Sequence, residues 1–305
     1  MAHDLQDLTT PALLNTIVDI MIPFPSTTPL DFTAIATTII NGARHFPPGI
    51  KPQIWTILIA LSKLGLPNTP PLTTFLPPPA SPPFPRLALG LQLLLDQMPR
   101  RLFRGIDKRW CAAYFDPLAV RFAQELDSLP EEQKPWAWGR WEGKVTMDYY
   151  IPVRIWFGTP FVHCDTVASQ ERAVRYFDEV RTLVEGVTGT TDPYRQGREG
   201  RMQDVYVMFK VLEEGVPIPK EGLRMEGFVY WMCMLMDVHK PVVDRFGRYP
   251  TKNLYAGRED TEEEKKWMEE VGRGSIAVDL RERLRLDFEQ GVWTDLGVDS
   301  DVNLD

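Results

Sequence analysis

The chain has 305 residues, with 34 Lys plus Arg against 42 Asp plus Glu, a formal charge of −8 and a pI near 5.2. That balance argues against the basic footprint with which proteins hold nucleic acid or an anionic membrane surface, and 44% apolar with 25% charged residues is ordinary for a soluble globular chain. Proline is the one outlier, 27 in all and nine of them between Pro67 and Pro85, against an average share of about 5%.

Two Asp residues, Asp4 and Asp7, precede the first apolar run, the reverse of the basic start of a secretory or mitochondrial signal, so a cytoplasmic location is expected. From Leu8 to Leu66, apolar residues at three- and four-residue spacing predict helices over Pro11–Met21, Asp31–Asn41 and Lys51–Leu64. The most apolar stretch, Ile54–Leu66, contains Ser62 and Lys63 and falls short of the roughly 18 residues of a membrane span, so no span is expected. Pro67–Pro85 reads as a stiff extended strap or spacer, because proline removes the backbone donor and forces its predecessor out of helical geometry.

Beyond the strap the pattern is helix after helix. Arg86–Met98 is apolar and expected to stop at Pro99. Asp116 with Pro117 reads as a cap followed by proline at the first helical position, opening a helix to about Leu126. Thr166–Glu185 carries Val167, Val174, Phe177 and Val184 on one face, with Gly186 as its expected stop, and Thr261 with Glu264 forms a capping box. No segment alternates apolar and polar residues in the manner of strands. The last twenty residues, from Leu286, hold six acids and no Lys or Arg, and are expected to fray unless Trp293 pins them. The expected fold is an all-α multi-helix bundle. Its regions are an N-terminal helical part (1–66), the strap (67–86), a main helical domain (87–272) and a C-terminal helix with an acidic tail (273–305), together one globule.

Polar residues concentrate in three blocks. Asp96, Gln97, Pro99 and Arg100 follow an apolar helix; Pro160, His163, Gln170, Glu171 and Arg172 form the second block. The third runs through His239, Arg245, Phe246, Gly247, Arg248, Pro250, Asn253, Gly257, Arg258 and Thr261. In order and spacing these blocks resemble an uncharacterised helical family of bacteria and fungi, domain of unknown function 924, over Leu87 to about Val271. The resemblance implies tetratricopeptide-like helical packing and supplies no activity. The chain departs from the family pattern at Arg101 (Asn in the family), Cys164–Asp165 (Ser-Glu) and Thr251–Lys252 (His-Arg), and the proline-rich first third lies outside it.

Several chemistries weigh little. Cys111, Cys164 and Cys233 are too scattered for a disulfide framework or a thiolate zinc site. His163, Asp165 and His239 could supply two histidines and a carboxylate to a metal, but Asp165 reads more simply as a helix cap and His239 as a core histidine, so no metal is expected. No glycine-rich nucleotide motif is present, and neighbours such as His163 and Cys164 seldom face each other as base and nucleophile. No cofactor is expected. A set of Arg, His, Gln and Asn among aromatic residues and methionines is compatible with core, or with a pocket for an apolar ligand.

The expected function is a cofactor-independent enzyme that binds a hydrophobic small molecule and promotes its cyclisation or rearrangement, of pericyclic or Diels–Alder type, in fungal secondary metabolism. Such a catalyst needs a shape and one or two donors. Gln97, His163 and Arg248 are the expected catalytic donors, and Tyr150, Trp156, Arg100, Trp231, His239 and Asn253 the expected substrate contacts. The alternatives are a helical scaffold that binds a peptide or partner protein, and a buried polar network that ties helices together without a ligand.

Overall fold

Apolar spacing of three and four residues is realised as helix throughout. The computed structural model describes residues 2–37, 46–273 and 278–300, and among them every regular element is helical, with no strand. By contact density the chain divides into two units: Met1–Ile20, Phe46–Pro135 and Tyr249–Asp305 in the first, Met21–His45 and Trp136–Arg248 in the second. The proline-rich first third therefore contributes to both units.

The first unit is organised on the Phe84–Leu102 helix, buried from Phe84 to Pro99 apart from a half-exposed Arg86. It packs on the Ile50–Leu64 and Asp116–Asp127 helices, and at Gly90 its backbone lies against Leu14 of the Pro11–Met21 helix. The helix does not stop at Pro99. It continues one turn to Leu102, with Phe103 N–H donating to the Pro99 carbonyl at 3.0 Å, because burial on both sides of the proline and an Asp96–Arg100 ion pair at 3.5 Å offset the one lost hydrogen bond. A π-helical turn, Cys111–Phe115, runs directly into Asp116, which is the first helical residue and not a cap; its carboxylate is drawn to Arg100 and Lys252 instead.

The strap is anchored to this helix. Arg121 donates to the carbonyls of Leu66, Thr69 and Pro70 at 2.9–3.2 Å, while Glu125 accepts the backbone N–H groups of Leu72 and Thr73 at 3.3 and 3.1 Å. These bonds fold it into two 3₁₀ turns, Leu66–Asn68 and Leu72–Phe75, which replace the expected extended spacer. As far as Ser300 the expected fraying gives way to docking, since Asp107 accepts the backbone N–H groups of Gly297, Asp299 and Ser300; 301–305, the end of the expected frayed tail, lie outside the described residues.

In the second unit the Val167–Thr188 helix packs against the Met147–His163 and Met225–Asp237 helices. Gly158 allows the close approach, since a Cβ there would lie 2.7 Å from Tyr176. Met147–His163 is helical despite Pro152 and Pro160 and is buried almost from end to end. Two expected boundaries move. Thr166, not Asp165, caps the following helix by accepting from Ser169 N–H, and the helix passes Gly186 to end at Gly189, whose φ of 67° is the left-handed conformation that closes helices. Of the helix expected over Asp31–Asn41, Phe32–Ala36 is formed, with Asp31 as its cap and not its first residue; 38–41 lie outside the described residues. The Thr261–Glu264 capping box is formed in full.

Candidate functional site

The first block becomes a charge network in the first unit. The last turns of the Phe84–Leu102 helix present Asp96, Gln97 and Arg100; Gln97 Nε2 donates to Asp96 Oδ2 at 2.6 Å, and Arg100 bridges Asp96 and Asp116. Lys252 Nζ reaches Asp116 Oδ2 at 2.7 Å, so Asp96 and Asp116 face Arg100 and Lys252. Burial opposes the Arg100 charge, but Asp116, Cys111 and Asp96 outweigh it and its pKa is raised. Burial, then Asp116, pushes the neighbouring Cys111 thiol up to about 12, which removes it as a nucleophile. Asn253 is fully buried, and its Nδ2 donates to Asp260 Oδ1 at 2.9 Å.

The other expected site residues belong to the second unit. Tyr150 is buried, its hydroxyl donating to the Trp136 carbonyl and its ring 4.8 Å from that of Trp138. Trp156 and Trp231 are buried core side chains. His163 and Arg248 are half-buried, and His239 places Nδ1 2.7 Å from the Leu235 carbonyl. The densest cluster of this unit was not among the expected residues. Arg181, 1% exposed, pairs with Asp178, Asp192 (2.5 Å) and Asp237 (2.8 Å), and Arg198 shares Asp178 and Asp237. Only the i,i+3 spacing of Asp178 and Arg181 is visible in the sequence; nothing there brings Asp192 or Asp237 to them.

Open space lies elsewhere in the first unit. A cleft of about 540 Å³ is lined by Ile59, Ser62 and Lys63 together with Trp110, Val292, Trp293, Asp295 and Leu296. Its aromatic wall is held firmly: the two indoles meet edge to face at 4.7 Å, and Trp110 Nε1 donates to the Thr294 carbonyl at 3.0 Å. Behind Trp293 the buried Arg109 guanidinium stacks at 4.0 Å and pairs with Asp287, which also accepts Thr294 N–H and Oγ1–H at 2.8 Å. A second cavity, about 490 Å³, has the third block on one wall through Pro250, Thr251, Leu254, Tyr255 and Asp260. Of the nine expected site residues, none lines either of these two cavities; Asn253 reaches the second through Asp260. Among the described residues no group of three or more His, Cys, Asp and Glu side chains is placed to hold a metal ion, and no helix is long and apolar enough to cross a membrane.

The model of a family described as bacterial protein of unknown function (DUF924) matches residues 80–272, well over half of the chain. The chain belongs to the DUF924 family. No curated protein and no solved structure matches it. The family match divides the two cavities. Most of the wall of the second lies inside the DUF924 span, whereas the cleft takes only Trp110 from it and draws Lys63, Val292, Trp293 and Leu296 from the flanking chain. Lys252, where the family pattern has Arg, keeps a cation facing Asp116, and Thr251, where that pattern has His, stands on the wall of the second cavity.

Proposed function

We propose that the protein binds a hydrophobic small molecule in the Trp110–Trp293 cleft and, without a cofactor, promotes its cyclisation or rearrangement. The observation that carries the reading is the cleft itself, whose volume of about 540 Å³ falls within the usual range for ligand pockets and whose aromatic wall is fixed from behind by Arg109 and Asp287. Val292, 66% exposed, offers apolar surface to the same space. A reaction of this class asks for a shape that keeps reacting carbons together and a charge that polarises a carbonyl. Lys63 lines the cleft and takes the donor role that the sequence suggested for Gln97, His163 and Arg248, which are not among its lining residues.

Val292→Lys tests the binding half, because the side chain is exposed and its replacement leaves the fold alone. Quenching of tryptophan fluorescence by 1-naphthalenemethanol, an uncharged probe, should be saturable for the native chain and weakened about tenfold, or about 1.4 kcal/mol, in the variant; equal affinity in the two proteins would remove the cleft as the site. The reaction half is tested with a linear polyene carbonyl compound. Conversion to a ring product by the native chain, lost in Lys63→Met with binding retained, supports it, and return of the bound polyene unchanged confines the function to binding.

A further inference from the structure

We infer that the 490 Å³ cavity beneath the third block is a separate site for a small ligand carrying a doubly charged anionic group, of the phosphate monoester class, on a compact apolar body. The inference is independent of the cleft and of any reaction there. Its first support is a local reversal of charge. The chain as a whole carries −8, yet Lys108, Lys265, Arg273 and Arg281 line this cavity against only Asp260 and Glu269. Concave walls concentrate such a field; Lys265 is offset by Glu262, so the cations on the lining favour an anion over a neutral ligand, and the preference for a dianion follows from the two of them that have no partner among the described residues.

The second support is which charges are already engaged. Asp260 is held by the fully buried Asn253 amide, and Lys265 is 2.6 Å from Glu262. Lys108 and Arg281, in contrast, make no ion pair or side-chain hydrogen bond among the described residues. Two long cations facing one cavity with no carboxylate partner among the described residues are in place to close on an incoming anion, and a guanidinium can grip two oxygens of a phosphate at once. The remaining wall suits an uncharged body: Pro250 and Met268 are buried at the cavity surface, and Leu254 lies beside them. Tyr255 completes it with a phenol whose pKa is raised by burial, so that it stays protonated and able to donate.

The test is calorimetric titration of the full chain with phenyl phosphate, phenylacetate and benzyl alcohol, which share the ring and differ in charge. Phenyl phosphate should bind at one site, more tightly than phenylacetate and far more tightly than benzyl alcohol, and its affinity should fall as salt is raised. The double variant Lys108→Ala, Arg281→Ala removes two exposed side chains that make no ion pair or side-chain hydrogen bond among the described residues, and should weaken phenyl phosphate about tenfold or more, while Val292→Lys in the cleft leaves it unchanged. Absence of binding, equal binding of benzyl alcohol, or an unchanged affinity in the double variant overturns the site. Phenylacetate binding as tightly as phenyl phosphate overturns its assignment to a dianion. Because Val292→Lys reports on the cleft and the double variant on this cavity, either reading can fail without the other.

Discussion

At the scale of single residues, the second unit turns charge into geometry around Arg181 and Glu185. Arg181 is sealed in with three carboxylates, so its net worth is small but its loss would strand buried negative charge. Glu185 sits at the edge of this cluster, accepting Asp192 N–H at 3.0 Å and a two-pronged Arg195 guanidinium at 2.8 Å. It thereby positions the turn whose Asp192 carboxylate faces Arg181. The Arg195 hydrogen bonds lower the Glu185 pKa from 4.5 to about 2. A carboxyl whose folded pKa lies below its unfolded value contributes stability above the unfolded pKa and loses it as pH falls toward the folded one. Glu185→Gln, which keeps an acceptor but no charge, should therefore melt below the native chain at pH 6. The gap should close between pH 4.5 and about 2. Thermal melts of both proteins across that interval decide the point, and a gap that stays constant would show that the charge of Glu185 contributes nothing.

At the scale of elements, glycine and proline were the least reliable signals in the sequence, and the reason is tertiary. Propensity sets their cost, but burial of the neighbours decides whether the cost is met. Pro99, Pro152 and Pro160 all lie inside helices whose faces are almost wholly buried. Gly186, the stop that the sequence suggests, is an exposed helical position, and the true stop is Gly189 three residues later, where φ turns positive. Signals that act locally were legible: the Thr261–Glu264 capping box, and the helices Pro11–Met21 and Ile50–Leu64. The third block was legible as special, and it does border a cavity, but the partners that make the cavity basic, Lys108 and Arg281, are remote in sequence and belong to no motif.

The same contrast yields a paired prediction. A Cβ at Gly90 would fall inside contact with the Leu14 carbonyl oxygen and 2.8 Å from its Cβ, whereas at Gly186 it would meet nothing within 4 Å. Gly90→Ala must push two packed helices apart and should cost about 1–3 kcal/mol. Gly186→Ala removes only the backbone entropy penalty of a helical glycine and should gain about 0.5–1 kcal/mol. Urea midpoints of the two variants should move in opposite directions. A stabilised Gly90→Ala would mean that the Leu14 contact yields without cost.

At the scale of the whole chain, the residues beyond the DUF924 match build the cleft, so what holds them in place governs the proposed activity. Trp293 and Val292 belong to the segment after the Val278–Gln290 helix, which by composition alone had every reason to be loose. Two carboxylates fix it. Asp107 accepts the N–H groups of Gly297, Asp299 and Ser300 at 2.8–3.2 Å, and Asp299 returns the contact by accepting Ile106 N–H at 2.8 Å and pairing with Arg283 at 2.8 Å. Gly105 is required at the crossing, since its φ of 48° is left-handed and any side chain there would strike Asp299. The Asp107 carboxylate is fully buried, so Asp107→Ala strands three backbone donors, each hydrogen bond to a charged group being worth about 1.5–3 kcal/mol. The expected result is loss of hydrogen-exchange protection at 297–300, easier acrylamide quenching of Trp293, and an affinity for 1-naphthalenemethanol reduced about tenfold, with helix content by circular dichroism nearly intact. Protection retained at 297–300 would mean that Asp299 and Arg283 hold the segment unaided. Protection lost while the probe still binds at native strength would separate the cleft from the tail, and would return the search for the hydrophobic site to the interior of the helical units.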